Sequence, residues 1–272
     1  TRTVAVRVGG VYLKNLNVNR SLNPLRPYEA YSIPIRNADP GPDGALNTAD
    51  DPGTTLTYWD YPASYRGAAF EGVKLVNDDP KNDSTYKTIE FAATRRLSNG
   101  WQLLGSYSAT KRDVPFVENS ALTPNNEINV ADHTWTWIGK VSGSYTFPYG
   151  IMGGANYSIR NGARLARQVL LRAPAGASIP TLVVNAEPIG SLSLENVGLF
   201  DLRAAKRFAL GQGRNFELRL DCFNVMNVNP VTSIVVRAGS TFGNATASEG
   251  GGQNGTGLTP PRIFQIEGRL TF

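Results

Sequence analysis

Residues 135–147, WTWIGKVSGSYTF, alternate throughout except at Ile138. Trp135, Trp137, Gly139, Val141, Gly143, Tyr145 and Phe147 share one parity, while Thr136, Lys140, Ser142, Ser144 and Thr146 share the other. Side chains of an extended strand point alternately to its two faces. A period of two held over 13 residues therefore predicts a long strand with one apolar and one polar face. After a turn at Pro148, Tyr149 and Gly150 the alternation resumes: Ile151, Gly153, Ala155, Tyr157 and Ile159 face Asn156, Ser158 and Arg160. Two such segments joined by a tight turn read as a β-hairpin.

The unit recurs on either side. In residues 84–97, Ile89, Phe91, Ala93 and Leu97 oppose Glu90, Thr94 and Arg96; after the turn at 98–100, Trp101, Leu103, Gly105, Tyr107 and Ala109 oppose Gln102, Ser106, Ser108 and Thr110. Phe200, Leu202, Ala204 and Phe208 oppose Asp201, Arg203 and Arg207, and after the turn at 211–213, Phe216, Leu218, Leu220 and Cys222 oppose Glu217, Arg219 and Asp221. An opening strand over about residues 3–13 and a closing one over 263–272 bring the expectation to eight antiparallel strands. The last of them puts Phe264, Ile266, Gly268, Leu270 and Phe272 on the apolar parity and Gln265, Glu267, Arg269 and Thr271 on the other.

Connection lengths alternate too. The hairpin turns are short, whereas the links at 14–83, 113–131, 162–196 and 225–259 are long. With strands running up and down, short turns fall at one end of the sheet and long loops at the other, the asymmetry of an outer-membrane barrel with short periplasmic turns and long extracellular loops. About twelve residues at roughly 3.3 Å each, tilted near 40°, reach about 30 Å and cross the apolar band. Trp101, Phe147, Tyr149, Phe208, Phe216 and Phe272 lie near the short-turn end, as an interfacial aromatic girdle requires. Lys206 falls on the apolar parity. At the midplane it would cost roughly 2–4 kcal/mol, but close to the turn its amine can snorkel towards the headgroups.

Composition narrows the alternatives. Charged residues are 18% of the 272, below the roughly 25% of soluble chains. The net charge of +5 comes from scattered arginines, without the clustered basic face that nucleic acid demands. No run of 18 apolar residues predicts a membrane-crossing helix, a test to which barrel strands are blind. The single cysteine, Cys222, excludes an internal disulfide. The start, TRTVAV, has neither Met nor a signal segment, which suggests a processed product or a piece of a longer protein.

The segment DLRAAKRFALGQGRNFELRLDCFNVMNVNP, residues 201–230, resembles the penultimate hairpin of TonB-dependent outer-membrane receptors, in particular the Oar-like branch whose members carry a carboxypeptidase-regulatory-like domain. Asp201 to Arg203, Lys206 to Phe208, Phe223, Asn224 and Asn227 carry the likeness. YKTIEFAATRRLSNGWQLLGSYS (86–108) and YTFPYG (145–150) are similar to earlier hairpins of the same barrels. The resemblance implies that residues 1–272 are the C-terminal part of a transmembrane β-barrel of about 22 strands, with the plug and the N-terminal strands missing, in a Gram-negative outer membrane. It implies energised uptake of a large scarce ligand such as a siderophore, cobalamin or glycan. The implied partners are the lipid bilayer and lipopolysaccharide, the barrel-assembly machinery, and the protein's own plug and TonB complex, with no nucleic acid. Gln265, Leu270 and Phe272 would then form the barrel-assembly signal. A self-contained eight-strand barrel serving as anchor or adhesin is the alternative, and a soluble carbohydrate-binding β-sandwich a third reading.

Candidate chemistry is sparse. DPGPDGALNTADD, residues 39–51, resembles part of an EF-hand loop, placing Asp39, Asp43, Asn47 and Asp50 as calcium ligands; a polar external loop is the competing reading. Tyr58, Trp59, Tyr61 and Tyr65 form an aromatic loop segment suited either to stacking on a sugar or siderophore or to packing loops together. His133 follows Asp132, but no G-x-S-x-G elbow accompanies it, so the reading is of a non-enzyme. The G-x-G-x-x-G of Gly250, Gly252 and Gly255 lacks the strand and helix of a dinucleotide site and reads as a loop.

Overall fold

The computed structural model describes residues 3–77, 79–246 and 258–272. Its centre is one antiparallel sheet of eight strands: β1 (Val4–Asn15), β2 (Ser84–Ser98), β3 (Trp101–Asp113), β4 (Trp135–Phe147), β5 (Ile151–Arg160), β6 (Val197–Gly211), β7 (Arg214–Phe223) and β8 (Ile263–Thr271). They neighbour one another in chain order. β1 and β8 are the two edges and do not pair with each other among the described residues. The fold is thus all-β, and the helical content is confined to short 3-10 turns. No described helix is long and apolar enough to cross a membrane.

The register turns the alternation of single strands into continuous rows. Val8 lies opposite Phe91, which lies opposite Tyr107, then Gly139, Ile159 and Gly198. A second row joins Leu103, Gly143, Ala155, Leu202, Cys222 and Phe264. Directly opposed residues of antiparallel strands share a face, so one face is apolar from edge to edge. No described residue covers it: Val6 is 72% exposed, Leu103 41%, Leu218 43% and Ile266 74%. The other face carries cross-strand ion pairs, including Arg203 with Asp221 at 2.6 Å, Arg219 with Glu267 at 3.2 Å and Arg7 with Glu90 at 3.3 Å.

Three tight turns close one end. Between β2 and β3, Asn99 and Gly100 both take positive φ (53° and 83°), the geometry of a two-residue hairpin loop. A side chain on Gly100 would in addition crowd the Thr146 carbonyl. Tyr149 and Gly150 turn β4 into β5, and Gln212 and Gly213 turn β6 into β7, again at positive φ. Lys206 projects towards this end, its Nζ donating to the Tyr149 carbonyl at 2.6 Å.

At the opposite end lie four long connections: loop A (16–83), loop B (114–134), loop C (161–196) and loop D (224–262). They contain short antiparallel pairs, Ile33–Ala38 with Thr55–Asp60 in loop A and Gln168–Arg172 with Thr181–Asn185 in loop C. The largest buried apolar cluster, Tyr58, Val169, Leu171 and Val184, belongs wholly to loops A and C. Among the described residues the eight strands supply only Ala109, Val197 and Ala205 to the set of buried hydrophobics. The hydrophobic core of this chain therefore sits in a loop cap and not between layers of sheet.

Candidate functional site

Hydrogen bonds to the backbone knit the four loops. Asn125 of loop B accepts from the Trp59 amide at 2.7 Å and donates to the Trp59 carbonyl at 2.8 Å. The Tyr58 hydroxyl donates to the Ile179 carbonyl at 2.7 Å, and Asp60 accepts the amides of Ser178 and Ile179, both at 2.9 Å. Asn129 and Asn185 exchange amide bonds between loops B and C. Loop D joins through Val236 and Ala238, which bracket Gln168.

The charge centre of the cap is Arg167, 6% exposed. It holds Asp39 through two bonds of 2.7 Å and also donates to Glu187 and to the Gly41 carbonyl. This arrangement holds the Asp39 carboxyl below the usual aspartate range, the hydrogen bonds from Arg167 being the main cause. Asp39 in turn raises the arginine. Arg20, 2% exposed, plays a similar part between loops A and B, bonding Glu127 at 2.8 Å with its guanidinium 4.4 Å above the Phe116 ring.

Beneath the cap, where the polar face of the sheet meets loops B, C and D, is a cavity of about 440 Å³. Arg112, Asp132, Thr134, Arg160 and Arg164 line it. Asp132 is buried, 3.1 Å from Arg112, and accepts the Thr134 hydroxyl at 2.7 Å. Arg160 and Arg164 have no ion-pair partner among the described residues. Three guanidiniums against one carboxylate suit an anionic, hydroxylated ligand held by charge-assisted bonds. No local spacing announces this cavity, because its residues come from four strands and three loops.

The residues singled out in the sequence fall as follows. Asp43 and Asp50 come together with Asp51, their carboxylates within 4.8 Å of one another. Asp39 stands apart, both of its oxygens engaged by Arg167. Asn47 contributes its amide to Asp51 at 2.6 Å, and Asp50 accepts from the Asp43 amide and the Thr48 hydroxyl, bonds that fold the loop on itself. Tyr58 has no exposed surface and is a packing residue. Tyr61 stands edge-on to Tyr31 with the Arg26 guanidinium 4.4 Å over its ring, and Tyr65 packs edge-on to Phe70. Trp59, 36% exposed, is the residue of this segment that presents a broad surface outward. Gln265 lies opposite Asp221 and Leu270 opposite Phe216, and Phe272 is 86% exposed. His133 contacts Asp113 at 2.8 Å on the outer surface. The Gly250–Gly255 motif lies outside the described residues. Comparison with family models, with curated proteins and with solved structures found no match.

Proposed function

We propose that this chain is part of the wall of an outer-membrane β-barrel receptor of the TonB-dependent kind, serving energised uptake of a large scarce ligand. The observation that carries the reading is the apolar face, whose middle rows run without a charge over eight strands and are left uncovered by the described residues, set against a face of cross-strand ion pairs. Water is a poor solvent for the first face and a good one for the second. A bilayer outside and an aqueous lumen or plug inside satisfy both. The sorting of turns and loops to opposite ends fits the same orientation, with the loop cap and its cationic cavity facing the medium.

Two features favour a receptor segment over a self-contained eight-strand anchor. The edges β1 and β8 are open, and an unpaired apolar edge calls for further strands. The cap is also built as a tied structure with a cavity, which an anchor does not need. A soluble sandwich is disfavoured because no second layer lies over Leu103 or Leu218.

The test is a nitroxide scan in outer-membrane vesicles. Labels at Leu103, Leu218 and Ile266 should be accessible to oxygen and shielded from a water-soluble nickel chelate, while labels at Ser106 and Lys140 should show the reverse. Equal chelate access at both parities would overturn the membrane reading.

A further inference from the structure

Strands β4 and β5 contain no acidic residue, yet their polar face carries two cations. Arg160 lies opposite Ile138, which makes Lys140, two residues further along β4, its diagonal neighbour on the same face. Such neighbours stand roughly 7–8 Å apart. A third cation, Arg164, lines the cavity together with Arg160. None of the three has an ion-pair partner among the described residues. The acids nearest in register are already committed: Asp132 to Arg112 at 3.1 Å, Glu90 to Arg7 at 3.3 Å, and Asp201 to the side chain of Asn156 at 3.2 Å and the Asn224 amide at 2.9 Å. The backbone between the two arginines is held firmly. Buried Asn161 accepts the Trp137 amide at 2.6 Å and donates to the Gly162 carbonyl at 2.8 Å. Gly162 packs so closely on the Leu194 carbonyl that a Cβ has no room, and Arg164 lies in register with Ser193. Hydroxyls surround the cations: Ser106 and Ser158 flank Lys140, and Ser108 shares the row of Arg160.

Cations of one sign gathered in a cleft raise the local concentration of anions, and side chains on a backbone already fixed lose less freedom on binding. We propose that Arg160 and Arg164 clamp one oxyanion of the ligand, that Lys140 takes a second, and that the serines bond the hydroxylated stretch between them. The ligand class is a hydroxylated chain bearing two acidic groups. Guanidinium binds carboxylate and phosphate alike through paired N–H bonds, so either group satisfies the clamp. Arg112 needs no ligand anion, because Asp132 already neutralises it. The inference rests on the receptor reading above and deepens it, giving the ligand a charge and each cation a separate task.

Calorimetric titrations use the whole protein to which this chain belongs, extracted in mild detergent from the cells that make it and never unfolded. Galactarate, galactonate and galactitol offer the same hydroxylated chain with a carboxylate at both ends, at one end and at neither. Affinity should fall about 10-fold at each step, the worth of a charged hydrogen bond. K140Q should weaken galactarate about 10-fold and leave galactonate unchanged, whereas R160Q/R164Q should weaken both by at least about 10-fold. Equal affinity across the three compounds in the parent protein, or binding of none of them, would overturn the site whether or not the variants fold, and would leave the receptor reading standing. Displacement of galactarate by a lower concentration of fructose 1,6-bisphosphate would support the site and assign its oxyanions to phosphate; the reverse order would assign them to carboxylate. Recovery of the protein from the soluble fraction would overturn the receptor reading, and the same titrations would still decide the site.

Discussion

Arg167 shows how much of the loop cap depends on a single side chain. Its guanidinium is buried and satisfied by Asp39, Glu187 and the Gly41 carbonyl. Removing one partner of a buried ion pair leaves a charge without compensation and costs about 3–5 kcal/mol. R167A should therefore loosen the cap by that order, read as lost hydrogen-exchange protection over residues 168–172; unchanged protection would refute it. The pH dependence has a definite sign. Folding lowers the Asp39 pKa, so its contribution is complete above the unfolded value of about 3.9 and fades as pH falls through the lower folded one. The cap should accordingly hold at neutral pH and weaken only in strong acid, with the R167A variant losing that dependence. None of this was legible locally. Asp39 reads as a calcium ligand or as part of a polar external loop because its neighbours are acidic and turn-rich, whereas its partner lies 128 residues away. Tyr58 reads equally as a stacking platform or a loop-packing residue until its hydroxyl is found on Ile179, 121 residues on.

At the level of elements, the sequence was most informative where a strand has one apolar and one polar face. Thirteen-residue runs such as β3 and β4 alternate because each residue must choose a face, and all eight long strands were visible for that reason. Their ends were less so: β1 reaches Asn15 and β7 begins at Arg214, beyond the runs of clear alternation. The short pairs of loops A and C left no such trace, since five or six residues packed within a cap face no uniform solvent. Gly162 marks where β5 passes into loop C. A Cβ there would run into the carbonyl oxygens of Leu194 and Glu195, so backbone must move to admit one. Overpacking of this kind costs about 1–3 kcal/mol. G162A should lower the unfolding midpoint in micelles and disturb the adjoining cavity, and an unchanged midpoint would show the loop to be more yielding than its packing implies.

For the whole molecule, the division between sheet and cap sets where apolar contacts matter most. Leu171 is 1% exposed, inside the cap, whereas Leu218 is 43% exposed on the sheet's outer face. Truncating the first to alanine should open a void that rigid neighbours cannot refill, at about 2–5 kcal/mol. In the proposed membrane setting, truncation of the second leaves a dent that fluid hydrocarbon tails flow into, so L218A should cost well under half as much in a chemical unfolding titration. Comparable losses at the two positions would mean that both contact ordered protein. On that reading the chain has two tolerances to mutation: the cap obeys jigsaw rules, while along the sheet greasiness matters and shape hardly does.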